Sequence, residues 1–390
     1  MNVYRGTLLL LGLWLAGCSA SGPSADLTEY LTRLERVLDQ RSQRVAENSF
    51  PRLPAVRALR LEPAQENIEL LDFLRLRRCE LQQVVAERNS SLGRLARPSQ
   101  RLVHEIDFLR LGDACLEAIR DDYPELAADL QRVLASKRAD LPVAIWQATV
   151  GGEEFRDFWQ ARSGPLPLAF EEDSALLQSL EQLSGDIQRW RAGDYTVDST
   201  RLEHQLDVIR RGSGGQQLLA WSKIHNSLNA ASNVVRDRIE RRPLCFKGMQ
   251  TPKANILNTV IREWFIGRVQ RWAAGLNARY YEEWPVVRAL EGQLADVQPS
   301  AYVQWREQRD TFIEQARGAL AGHVEALRPL LEACQLLPDT ESTSGGSAAR
   351  PLSRGSVVVQ AGRQHNAQPA GCAAQHRRER RRGIGTDREA

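Results

Sequence analysis

DLTEYLTRLERVLD, residues 26–39, is the stretch that decides the fold. Leu27, Tyr30, Leu31, Leu34, Val37 and Leu38 recur at i, i+3, i+4 and i+7, the spacing of an apolar stripe along one helix face. The same period continues down the chain. Pro51 and Pro54 interrupt it, and Pro63 opens a second helix carrying Ile68, Leu71, Leu74, Leu81 and Val85. Ser99, after Pro98, reads as the N-cap of a third, with Leu102, Ile106, Leu109 and Ile119 inward. Asp121 to Pro124 punctuates, and a helix over 125–137 follows. Asp140 reads as a further N-cap with Pro142 in the first turn, and that helix stops near Gly151–Gly152. Phe155, Phe158 and Trp159 extend its apolar face.

SGPLP at 163–167 is the clearest internal loop, and a seam between two helical lobes is expected near 163–170. Beyond it, helices are expected at 171–191, 198–211, 216–241, 252–276, 278–296 and 300–335. No stretch alternates apolar and polar residues long enough to make a sheet. The fold class expected is all-α, a multi-helix bundle-like domain over 27–338.

Toward the N-terminus, Arg5 and the apolar run from Leu8 to Cys18, LLLLGLWLAGC, have the layout of an export signal over residues 1–17. Leu15, Ala16, Gly17 and Cys18 resemble the bacterial lipobox. That resemblance implies cleavage before Cys18 and acylation of its thiol and new amino group. Ser19 rather than Asp after the cysteine resembles outer-membrane lipoproteins, so the expected location is the periplasmic side of that membrane. Residues 18–26 would be a short acylated tether, reaching no more than about 30 Å. The partners expected are the membrane, through this anchor, and an envelope protein.

The formal charge of +3 misleads. From Asp339 onward nine Arg face five acidic residues, and removing that tail and Arg5 leaves residues 18–338 near −2. Nucleic acid is therefore not expected as a partner, since phosphate binding needs a basic face. Residues 339–390 are poor in apolar side chains and should be disordered. HRRERRR at 376–382 could attach to an anionic surface, but a non-native extension of the reading frame accounts for the tail more simply. Cys79, Cys115, Cys245 and Cys334 fit two disulfides in an exported domain. Of the three possible pairings, helix order favours Cys79 with Cys115, on consecutive helices, and Cys245 with Cys334, at one end of the bundle; the alternative is four buried free thiols.

The enzyme templates fail. There is no G-x-S-x-G elbow, no H-E-x-x-H and no phosphate loop, and no cofactor or metal is expected. RRGSGGQ at 210–216 reads as a helix–helix turn, and His104, Glu105 and Asp107 as a solvated helix face. His204 and Asp207 could pair as a base with its orienting acid, but nothing nearby completes a triad; His225 and His323 stand alone. Trp264, Phe265, Trp272, Tyr280, Tyr281 and Trp284 read mainly as core. The loop from Asn89 to Arg94 is different. Asn89, Ser90 and Arg94 offer amide, hydroxyl and guanidinium groups to a polar or anionic ligand, against the alternative of a helix C-cap and N-cap pair.

Together with the lipobox, this loop, Pro98-Ser99-Gln100 and WQATVGGEEFRDFW at 146–159 resemble a family of gammaproteobacterial lipoproteins classed only as a domain of unknown function. The resemblance covers roughly residues 1–338 and implies location without an activity. The expected function is an envelope scaffold or interaction module; the alternative is an envelope hydrolase with a site assembled from scattered residues. A cleft joining His104 or His204 to a second titrating group would favour the enzyme, and a broad apolar patch the scaffold.

Overall fold

The computed structural model describes residues 22–43, 50–61, 79–162, 164–167, 174–246 and 249–337. Residues 1–17, Cys18, most of the tether, the greater part of the helix expected from Pro63, and the tail at 339–390 lie outside the described residues. The architecture is all-α. In chain order the helices are α1 (Pro23–Leu38), α2 (Val56–Leu59), α3 (Leu81–Asn89), α4 (Ser91–Arg94), α5 (Pro98–Ile119), α6 (Pro124–Ala148) and α7 (Glu153–Phe158). There follow α8 (Ser174–Arg191), α9 (Ser199–Arg210), α10 (Gly214–Arg241), α11 (Pro252–Val260), a π-helical segment (Ile261–Gln270), α12 (Arg271–Gly292) and α13 (Ser300–Ala333).

The opening stripe behaves as its spacing requires: Leu27, Tyr30, Leu34, Val37 and Leu38 are buried, each such side chain contributing on the order of 2 kcal/mol. They pack on α10, on α11 and on the π segment. The helix nevertheless starts at Pro23, inside the stretch expected to be tether. Gly22 is extended and Pro23 takes the first helical position, where its missing N–H costs nothing. Asp26 then places a carboxylate in the first turn, favoured by the helix dipole.

Other boundaries differ for related reasons. Arg97, not Ser99, caps α5, because Pro98 occupies N1 and begins the helix. Ser99 is buried instead and donates to Glu203 Oε1 at 2.6 Å. Pro142 lies inside α6 rather than opening a new helix. An interior proline costs about 3 kcal/mol, but Leu141, Ile145 and Trp146 prolong the buried stripe of Leu126, Leu130 and Val133 and outweigh it. No break separates the expected helices at 252–276 and 278–296: α11, the π segment and α12 run on as one rod. The wider π turn lets two consecutive residues meet α1. Phe265 stacks on Tyr30 at 5.5 Å, and Trp264 lies between the guanidiniums of Arg33 and Arg268 at 4.4 and 4.1 Å.

Among the described residues of the expected loop, 164–167, no seam between lobes appears. The body forms one compact unit up to Pro338. Leu166 is buried, its N–H donates to the Gln216 carbonyl at 3.2 Å, and its carbonyl accepts from Trp272 Nε1 at 2.9 Å. RRGSGGQ does form a turn, between α9 and α10, and its glycines allow close approach. A Cβ on Gly214 would lie 2.5 Å from the Phe158 ring, and one on Gly215 2.4 Å from the Trp159 carbonyl oxygen. The WQATVGGEEFRDFW stretch is thus core-building: Trp146 donates to the Leu59 carbonyl at 3.0 Å, and Phe158 meets Trp159 edge-on.

Two cysteine pairs lie at disulfide distance. They are Cys79 with Cys115, S–S 2.16 Å, and Cys245 with Cys334, S–S 2.03 Å. Cys334 caps the C-terminus of α13, beside the segment that leaves α10. Each bond would restrict the unfolded chain by on the order of 4 kcal/mol in the loop-entropy description.

Candidate functional site: a groove between α3, α5 and α9

Among the polar centres buried in the described residues are two that gather groups able to titrate or donate, and neither opens to solvent. In the first, Arg309 and Glu291 are both almost fully buried and form a bidentate pair at 2.7 and 3.0 Å. Tyr302 donates to Glu291 Oε1 at 2.6 Å, and the Arg309 guanidinium lies over the rings of Trp159, Trp284 and Trp305 at 4.8, 5.7 and 4.9 Å. Burial alone would make Arg309 easier to deprotonate, but the Glu291 charge beside it overcomes this and holds the guanidinium above its ordinary range. Its role is structural.

In the second, His323 is not alone. Its Nε2 accepts from the Tyr30 hydroxyl at 2.6 Å, and its Nδ1 faces Ser232 Oγ at 2.9 Å. Ser232 already donates its proton to the Leu228 carbonyl at 2.7 Å, so Nδ1 carries the hydrogen and the imidazole is neutral. Desolvation, helped by the charge of Arg236, pushes the His323 pKa down to about 3. The serine proton points away from the imidazole, the reverse of what nucleophilic catalysis needs.

The Asn89–Arg94 loop lies at the surface, beside a groove of about 910 Å³. Ala86, Leu92, Gly93, Ala96 and Val103 give the groove its apolar lining, and Glu87, Ser90, Gln100, His104, Ser199, Thr200 and Glu203 its polar one. α3 and α5 pack together, α9 packs on α5, and residues of all three helices line the groove. Ser90 caps α4, accepting from Gly93 N–H at 3.0 Å and donating to the Glu87 carbonyl at 2.7 Å. Arg94 Nε donates to the Asn89 carbonyl at 3.1 Å. The cap-pair reading therefore describes the hydrogen bonds of the loop, and of the three candidate residues only Ser90 lines the groove. The loop's apolar residues stand out more than its polar ones. Leu92 and Leu95 are 81% and 82% exposed.

His104 reaches the groove, whereas His204 is exposed and outside its lining. Glu105 and Asp107 are taken up by Lys137 at 2.6 Å and Arg110 at 2.8 Å. Asp207 is taken up by Arg210 and Arg211, which hold its carboxyl below the usual range. Glu203, from α9, accepts from Ser99 at 2.6 Å and from Arg97 at 3.4 Å. Glu154 nearby is half-buried, and desolvation, with the charges of Glu153 and Glu203, raises its carboxyl above the usual range. Ser199, Thr200 and Glu203 were missed from the sequence because they join the loop only through the packing of α9 on α5. Of the aromatic stretch, Phe265, Trp272, Tyr280 and Trp284 are core and Tyr281 is exposed. Among the described residues no cluster of His, Cys, Asp and Glu is placed to hold a metal ion, and no helix is long and apolar enough to cross a membrane.

Comparison with curated proteins and with solved structures finds no match to either. Residues 27–338 match the family model described as "Protein of unknown function (DUF3080)", a span that takes in every helix of the groove, and the chain belongs to that family.

Proposed function

We propose that this chain is a lipid-anchored protein of the cell envelope, acylated at Cys18 and facing the periplasm from the outer membrane, where it works as an interaction module. The observation that carries the interaction reading is the pair Leu92 and Leu95, both more than four-fifths exposed, beside an apolar groove. Two leucines so exposed on one short turn are unfavourable for an isolated surface and fit a covered one. Glu87 and Glu203 are the formally charged side chains that line the groove. The occupant they suit is a partner protein's apolar segment carrying a Lys or Arg.

The test is site-specific photocrosslinking in intact cells from position 95. A discrete protein adduct is expected, with a yield about ten-fold lower when Glu87→Lys is added. An adduct insensitive to Glu87→Lys, or only lipid adducts, would overturn the docking reading. Anchoring has its own test: Cys18→Ser should block processing and prevent recovery of a mature-sized membrane form. Persistence of that form would refute acylation at Cys18.

A hydrolase reading is kept because His104, which forms no hydrogen bond or ion pair among the described residues, shares the groove with hydroxyls of Ser199 and Thr200. It predicts that His104→Ala abolishes cellular function while leaving the position-95 adduct intact.

A further inference from the structure

A second cavity, of about 400 Å³, lies between residues 50–53 and the end of α7. Its lining has a different chemistry from the groove. Arg52, Arg156 and Arg162 reach it from three places in the chain, and Trp159 and Trp305 form part of its wall. The segment that carries Arg52 is fixed through its carbonyls. Trp305 Nε1 donates to Pro51 O at 3.2 Å, and Arg156 Nη1 donates to Pro54 O at 3.1 Å. Arg162 is oriented by Gln160 Oε1 at 2.9 Å and by Asp157. Arg52 makes no hydrogen bond or ion pair among the described residues. The Trp159 indole N–H, 5% exposed as a residue, is a buried donor without an acceptor among the described residues. Behind the two indoles sits Arg309, a further guanidinium whose charge is already met by Glu291.

Three guanidiniums around one small cavity repel one another, and among the described residues a single carboxylate, Asp157, pairs with one of them, Arg162. About two positive charges are left over. A carboxylate ligand brings one negative charge, whereas a phosphate monoester brings about −1.5 to −2 near neutral pH and three acceptor oxygens. Arg presents planar pairs of donors suited to those oxygens. The volume also exceeds what a phosphate group fills and falls in the range of small-ligand sites. We infer that this cavity binds a phosphate monoester, its phosphoryl group held by Arg52, Arg156 and Arg162 and its organic part resting on the wall formed by Trp159 and Trp305.

The ester could be a soluble metabolite or a lipid headgroup, and the experiment separates these. Calorimetric titration of the full chain at low salt would use phenyl phosphate, inorganic phosphate and monomeric dihexanoyl phosphatidic acid. Saturable one-site binding is expected, weakened at least ten-fold by Arg52→Ala and by Arg162→Ala, with Arg52→Lys intermediate. Both positions are exposed, so the variants should keep the parent melting midpoint. Tighter binding of the lipid ester than of phenyl phosphate would assign the site to a headgroup, and the reverse order to a soluble ester. No saturable binding of any probe, or equal affinity in Arg52→Ala, would overturn the assignment.

Discussion

Arg309→Leu should cost this protein about 3–5 kcal/mol of stability, the penalty for leaving one member of a buried ion pair without its partner. Glu291 would keep its charge with, among the described residues, the Tyr302 hydroxyl alone to meet it, in a pocket walled by Trp159, Trp284 and Trp305. Thermal melts should show the midpoint lowered by roughly 5–15 °C. Adding Glu291→Gln to Arg309→Leu should restore more than half of the loss, because the amide can still accept from Tyr302 without a charge to solvate. The recovery distinguishes an electrostatic origin from lost packing, which the second substitution would not repair. A single variant within 1 kcal/mol of the parent would show that the pair carries no such weight.

The second large effect is a loss of stability in acid that depends on His323. Its folded-state pKa of about 3 lies below the ordinary 6.5. At pH below about 6.5 the unfolded chain therefore binds more protons than the folded one, and stability falls as pH falls. The loss from this group should reach about 2 kcal/mol between pH 7 and pH 5, and on the order of 5 kcal/mol near pH 3, where it levels off as the folded imidazole also protonates. His323→Gln keeps an acceptor for Tyr30 and a donor for Ser232 but does not titrate. Urea unfolding of both proteins at pH 7 and pH 5 isolates the term from the background of carboxylates. Parallel pH slopes for the two would rule out His323 as its source. Because Tyr30 and Ser232 belong to α1 and α10, protonation should act first on the docking of the N-terminal helix.

The boundaries that moved share one physical cause. Pro142 lies within a helix because packing on its buried face outweighs a local proline cost, and the rod from Pro252 to Gly292 is continuous because the buried face of Trp272, Ala273, Leu276 and Tyr280 outweighs the weak helix formers Gly275 and Asn277. Ser99 reads as a cap by sequence but is a buried donor to Glu203, a partner 104 positions away. Local signals rank the candidate ends of a helix, and burial chooses among them.

The sequence by itself determined the all-α class, the stripe from Leu27 to Leu38, and the break between helices at Asn89–Arg94. Those properties follow from spacings of three and four residues, which a single helix enforces locally. Only the tertiary structure decided that Ser90 and His104 share a groove with Ser199, Thr200 and Glu203, that His323 sits between Tyr30 and Ser232, and that Arg52, Arg156 and Arg162 converge. Each of these groupings joins residues from separate helices or loops through the burial of apolar surface. That burial is non-directional, so it leaves no periodic trace in the sequence of the polar side chains it brings together.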